Sequence, residues 1–234
     1  MSVVEKAIAW ALAVANDPAH GYDQTRRWGP DYDCSSLVIS AFKAAGLPLT
    51  ATFTGNMKYD FLRNGFADAS ALNAVELNMG AGLKRGDVLL NELKHTALYL
   101  GDGTVIEASI NERGGITGGE SGDQTGGEIG IRKYRNYPWD IVLRYVGEAD
   151  KASGTGSQLP QLRKGDTGGA VRSMQLLLIH GWAISCGPDG ADGDFGPNTD
   201  TALRRFQNRA GLASDGICGD LSWRALIGGK DGTE

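Results

Sequence analysis

The side chains able to do covalent chemistry are few: three cysteines, Cys34, Cys186 and Cys218, and three histidines, His20, His95 and His180. Cys34 follows Asp33, a helix-capping residue type, and precedes Leu37, Val38, Ala41 and Phe42 at helical spacing. That places it at a helix N-terminus, where about half a positive charge favours thiolate over thiol. A thiolate there is the nucleophile that acyl transfer needs. The plainer reading of a lone cysteine is a buried apolar side chain. His95 is the candidate base. It stands just ahead of the run Thr96-Ala97-Leu98-Tyr99-Leu100, and Gly101-Asp102-Gly103 turns the chain back into Thr104–Ala108. That turn sets Leu100 opposite Thr104 and Ala97 opposite Glu107, so residues 95, 97 and 107 share one face. Glu107 could then accept the imidazole N–H and hold the ring toward the thiol. The plainer reading is a His and a Glu on a solvated sheet face.

These residues need elements to position them. Val4, Ala7, Ile8, Ala11, Leu12 and Ala15 predict a first helix, followed by a polar loop from Asn16 to Tyr32. The helix that begins at Cys34 ends at Gly46. The period then changes to strands: Asp87–Leu90, Thr96–Leu100, Thr104–Ala108 and, after a glycine-rich stretch over 114–130, Ile141–Val146. Helices followed by an antiparallel sheet read as an α+β domain over 1–147. Residues 148–158 carry no large apolar side chain and read as a Gly/Ser-rich flexible linker. Beyond it, 159–228 reads as a small all-α domain of three helices, marked by Val171/Met174/Leu178, Ala202/Leu203/Phe206 and Leu221/Trp223/Leu226, with a tail over 229–234. Two loops there look alike, Asp192-Gly193-Asp194-Phe195-Gly196 and Asp215-Gly216-Ile217-Cys218-Gly219, with Thr199 and Ser222 placed to cap the helix after each. Phe195, Phe206 and Trp223 are expected in the core rather than on a ligand platform.

Composition narrows the function classes. With 41% hydrophobic and 22% charged residues the chain supports a packed core. Its 23 basic and 28 acidic residues leave a net charge of −5, unlike a nucleic-acid-coating protein. No apolar run is long enough for membrane insertion. The N-terminus shows no secretory leader, so synthesis in the cytoplasm is expected, with release by a separate agent. Three cysteines do not make a disulfide scaffold; Cys186 and Cys218 are expected reduced, with a bridge open to them in an oxidising medium. Asp189, Asp192 and Asp194 suggest a calcium loop, but the twelfth residue from Asp192 is Leu203 where a Glu is needed. With no His-Glu-x-x-His either, neither metal nor cofactor is expected. The 35 glycines imply tight turns and long surface loops.

Tyr32-Asp33-Cys34-Ser35-Ser36, Gly86-Asp87-Val88 and His95 through Gly103 together resemble the NlpC-type and CHAP-type cysteine hydrolases of bacterial cell walls. Glu5–Ala9 and Gly29–Ser36 are also similar to phage lysin amidases of that superfamily. The resemblance covers nearly all of 1–147 and implies a papain-like fold with Cys34 as nucleophile, His95 as base and Glu107 as the third residue. Glu is less usual there than His or Asn, which leaves Asn111 as a rival. The resemblance also implies an oxyanion role for Tyr22, about a dozen residues before the cysteine; a loop aromatic packed on the core is the other reading. Leu162 through Asp166, Asp192 through Thr199, Phe206-Gln207, Asp215-Gly216 and Trp223 resemble the three-helix peptidoglycan-binding domain. The implied protein is a phage endolysin: a host-lysing peptidoglycan hydrolase made in the bacterial cytoplasm. The bond cut is left open between the N-acetylmuramoyl-L-alanine amide and an amide within the stem peptide, with the amidase favoured. A non-catalytic wall-binding protein is the distant alternative, and the oligomeric state is not legible.

Overall fold

The computed structural model describes residues 1–70, 75–76, 80–147 and 160–228. The linker expected over 148–158 and the tail over 229–234 lie outside the described residues. The chain divides into two compact units, Met1–Gly156 and Ser157–Glu234.

In the first unit α1 spans Val3–Ala15, capped by the Ser2 hydroxyl, which accepts from Glu5 N–H at 3.2 Å. Its inward stripe is Ala7, Ile8, Ala11 and Val14. The central helix α2, Cys34–Ala44, packs against α1 on one side and the sheet on the other. Its Leu37, Val38, Ile39 and Phe42 are all within 1% of complete burial, each contributing about 1.5–3 kcal/mol of transfer free energy. A third helix, α3 (Thr54–Arg63), was not foreseen from sequence.

Six strands form one antiparallel sheet in the order β1-β6-β2-β3-β4-β5: β1 Phe66–Asp68, β2 Val88–Asn91, β3 His95–Gly101, β4 Thr104–Ala108, β5 Ile129–Lys133 and β6 Ile141–Tyr145. Side-chain alternation splits it cleanly. Val88, Leu90, Leu98, Leu100 and Ile106 face the helices. Leu89, Ala97, Tyr99, Val105 and Val142 face the other way, under Trp139, Tyr134 and Tyr137.

The β3–β4 hairpin follows the expected register where it matters: Leu98 pairs with Ile106 and Tyr99 with Val105. The expected Leu100–Thr104 pair does not form. Thr104 pairs with Gly101 instead, across a bulge beside a Gly101 whose φ of +93° suits glycine. Gly86 fixes α1 on β2, since a Cβ there would lie 2.2 Å from Val4 Cγ1. The neighbouring Asp87, fully buried, takes two bonds from the Arg144 guanidinium at 2.8 and 2.7 Å, tying β2 to β6. The Gly-Asp pair is therefore scaffold, not chemistry.

The second unit has the three helices expected: α4 Gly169–Leu176, prolonged by a π turn over Leu177–Gly181, α5 Pro197–Arg209 and α6 Asp220–Gly228. Phe195, Phe206 and Trp223 are completely buried, as core residues should be. The two similar loops are real repeats, but Thr199 and Ser222 are not their caps. The α5 N-cap is Gly196, which offers no side chain, and the two hydroxyls bond back to the carbonyls of Asp194 and Ile217. A glutamine grips each loop. Gln175 donates to Asp192 Oδ1, Asp194 O and Thr199 Oγ1 and accepts from Gly193 N–H. Gln207 makes the same four bonds to Asp215, Ile217, Ser222 and Gly216. Cys186 and Cys218 are buried free thiols. No helix among the described residues is long and apolar enough to cross a membrane.

Candidate active site

Cys34 is the first residue of α2, capped as its sequence indicated. Asp33 Oδ1 accepts from Ser36 N–H at 2.6 Å while the Ser36 hydroxyl bonds Asp33 N–H at 2.9 Å. The second Asp33 oxygen takes a 2.7 Å ion pair from Arg27. The thiol does not respond as its position suggested. Burial, reinforced by the Asp33 carboxylate, pushes it up to about 12, outweighing the hydrogen bonds that favour the thiolate. One of those bonds comes from the backbone N–H of Thr96, the residue after His95, so the helix start abuts the start of β3.

His95, expected just ahead of its strand, is the first residue of β3. Its Nε2 lies 2.7 Å from Glu107 Oε2, and Glu107 is 1% exposed. Burial pushes the Glu107 carboxyl up, but the His95 bond and the charges of Arg135 and Arg132 outweigh it and leave it below the ordinary value of 4.5. An ionised carboxylate only accepts, so in the neutral ring it is Nε2 that carries the proton and Nδ1 the lone pair. Nδ1 has no hydrogen-bond partner among the described residues.

The ring is walled by Trp139, near-parallel with centroids 5.9 Å apart, and by Tyr137 at 5.6 Å. Tyr137, Trp139, Arg132 and Arg135 were not singled out from sequence. The basic and aromatic run Arg132-Lys133-Tyr134-Arg135-Asn136-Tyr137-Pro138-Trp139 was the available signal.

Tyr22 is buried at 3% exposure and close enough to Cys34 for the two to interact electrostatically. Burial, with the Cys34 and Asp33 charges, holds its hydroxyl well above the ordinary tyrosine value, so it remains an O–H donor. The glycine-rich loop pins its backbone. Glu128 Oε2 accepts from Tyr22 N–H at 2.9 Å, and Asp31 Oδ1 from Gly21 and Gly122 N–H at 3.1 and 2.9 Å. A Cβ on Gly21 would lie 2.0 Å from the Gly122 carbonyl oxygen, so only glycine lets the loops meet.

Asn111 is placed elsewhere. Its amide donates to Thr117 O, and its Oδ1 accepts from Arg113 and Gly115 N–H, which closes a surface loop. It makes no bond to His95. The structure thus brings Cys34, His95, Glu107 and Tyr22 to one end of the sheet and leaves Asn111 outside. No group of three or more His, Cys, Asp or Glu among the described residues is placed to hold a metal ion.

This arrangement sets a cysteine that opens a helix beside a His–carboxylate pair on the antiparallel sheet of an α+β fold. The endolysin-like domain model matches residues 29–106 and 105–153, over half of the chain, and the protein belongs to that family. A putative peptidoglycan binding domain matches 167–226.

Among curated proteins, the chain is 38% identical over 65 residues to a zinc D-Ala-D-Ala carboxypeptidase of Streptomyces albus G, covering 28% of this chain and 25% of that one. It is 36% identical over 87 residues to the N-acetylmuramoyl-L-alanine amidase CwlL of Bacillus licheniformis, covering 36% and 22%. An uncharacterised protein of Kitasatospora aureofaciens is 45% identical over 67 residues, covering 29% and 55%. The matched regions thus span between about a fifth and just over half of these relatives. Among solved structures, the peptidoglycan hydrolase RipB of Mycobacterium tuberculosis aligns at 22% identity and a TM-score of 0.38, covering 62% of this chain and 65% of that one. RipD of the same organism, a non-catalytic NlpC/p60 domain protein, aligns at 19% and 0.37, covering 62% and 98%.

Proposed function

We propose that the first unit hydrolyses an amide bond of peptidoglycan with Cys34 as nucleophile, that the second unit holds it on the wall, and that the whole serves as a phage endolysin. The observation that carries this is the 2.7 Å His95–Glu107 bond, which turns the basic Nδ1 away from Glu107, with Cys34 buried against the amide of the next residue.

The reaction begins from neutral partners. Cys34 Sγ attacks the amide carbonyl carbon as its proton passes to His95 Nδ1. Glu107 stabilises the imidazolium without taking the proton. The carbonyl oxygen becomes an oxyanion, met by the Cys34 backbone N–H and the Tyr22 hydroxyl. His95 then gives the proton to the leaving nitrogen, the C–N bond breaks, and water attacks the thioester by the same route. The likeness of Glu5–Ala9 and Gly29–Ser36 to phage lysin amidases favours the bond between the lactyl group and L-alanine. The wall-directed names of the curated relatives support peptidoglycan as the substrate.

The test is mass spectrometry of fragments released from purified walls, with Cys34→Ala as control. Intact stem peptides with a free L-alanine amine are expected. Shortened stems still joined to sugar would make the enzyme an endopeptidase. Equal release by the wild type and Cys34→Ala would overturn the nucleophile. No release by the wild type would leave only a wall-binding protein.

A further inference from the structure

Glu107 is hemmed in by cations in an uneven way. Its Oε2 meets both His95 Nε2 at 2.7 Å and Arg135 Nη2 at 3.3 Å. Its Oε1 is buried without a hydrogen-bond partner among the described residues, the nearest cation being Arg132 Nε at 3.6 Å. The two arginines are not equivalent. Arg132 is committed to backbone, donating to the carbonyls of Gly127, Gly130 and Glu107. The Arg135 guanidinium donates to no backbone carbonyl among the described residues; the one backbone bond of Arg135 is its own carbonyl accepting from Tyr137 N–H at 2.9 Å. The guanidinium's partners are the Glu107 carboxylate and the face of Tyr137, 5.3 Å from the ring centroid. Tyr137 in turn lies against Trp139 at 4.7 Å and His95 at 5.6 Å. A half-exposed arginine that holds up no loop is thus fixed between the carboxylate and the aromatic wall of the base.

We infer that Arg135 is a positioning residue: it holds the Glu107 carboxylate on His95 Nε2 and offsets enough of its charge for His95 to rest as a neutral base. This rests on the reading of Cys34 and His95 given above. A bare, buried Glu107 would hold the imidazolium strongly, and a histidine already protonated accepts nothing from a thiol. A cation beside the carboxylate moves the balance back. Around Glu107 and the aromatic wall of His95 the charged and titratable groups are Arg132 on β5 and Arg135, Tyr137 and Asp140 on the segment after β5, and Asp33 acts on Cys34 at the start of α2. Loss of Arg135 leaves the negative charge of Glu107 less balanced, so His95 keeps its proton to higher pH.

The experiment has two readouts on Arg135→Gln, Arg135→Met and Arg135→Lys: the pH profile of wall hydrolysis, and the NMR titration of the His95 ring nitrogens in a Cys34→Ala background. For the neutral variants, the acid limb and the His95 midpoint should both move up by about half to one pH unit. The kcat should fall several-fold with little change in KM, and Arg135→Lys should hold both midpoints near wild type. An unmoved midpoint with only a lower melting temperature would overturn the inference, as would a raised KM with an unmoved limb. A moved NMR midpoint in a protein that cleaves no wall would instead sink the proposed function and leave the positioning role standing. Arg135→Met keeps the stem over Tyr137, so a folding defect confined to Arg135→Gln does not decide the outcome.

Discussion

At the scale of the residue, Cys34, the nucleophile of the proposed reaction, is held as a thiol. Burial and the adjacent Asp33 carboxylate push its thiol up to about 12, so little thiolate exists at neutral pH. Iodoacetamide should therefore alkylate it slowly at pH 7, with a rate that climbs steadily through pH 9 to 10. A plateau reached below pH 7 would show a preformed thiolate–imidazolium pair instead. Glu107→Gln removes the charge that stabilises the imidazolium, and wall hydrolysis should fall on the order of 10²–10⁴-fold. The same substitution tests stability. Glu107 sits below its ordinary value of 4.5, so its contribution is present above pH 4.5 and fades as the pH falls through the lower folded-state value. The melting-temperature gap between wild type and Glu107→Gln should accordingly be full at pH 7 and shrink below about 4.5. A gap constant down to pH 3 would contradict this assignment.

At the scale of the element, what was legible had both a pattern and a punctuating residue. Asp33 announced α2, Gly46 ended it, and Gly101–Gly103 set the hairpin that brings residues 95 and 107 together. Elements lacking such marks were missed. The N-cap of α3 is Phe53, which offers no side-chain cap, β1 is three residues long, and β5 emerges from a run of glycines. The arginines and aromatics around Glu107 were hidden for another reason: they lie on a segment brought to the site only by tertiary packing. The repeat in the second unit was visible, but its meaning was not, because the glutamine that grips each loop lies 17 or 8 residues upstream. Asp33→Ala should cost about 1–2 kcal/mol through the lost cap, more if Arg27 is left unpaired, and thermal melts of the first unit would measure it. Gln175→Ala or Gln207→Ala strips a loop of four bonds and should destabilise the second unit by about 2–4 kcal/mol. Binding to insoluble walls should weaken while cleavage of soluble wall fragments continues.

At the scale of the whole molecule, each unit has its own buried residues, and the endolysin-like match, with the proposed chemistry, lies in one while the peptidoglycan-binding match lies in the other. The chain cut after residue 147 should therefore still cleave soluble fragments through Cys34 but sediment poorly with whole walls. Residues 160–228 alone should sediment and cleave nothing. Sedimentation of both pieces would place wall affinity in the first unit as well as the second.

The depth at which Cys34 sits reaches beyond turnover. Peroxide attacks thiolates that water can reach, giving sulfenic and then irreversible acids. A protonated thiol on a residue only 6% exposed offers it neither. The proposed wall hydrolysis should therefore outlast oxidants that silence enzymes with open, ionised cysteines. Its shelf life in aerated solution would be set by unfolding rather than by loss of the thiol.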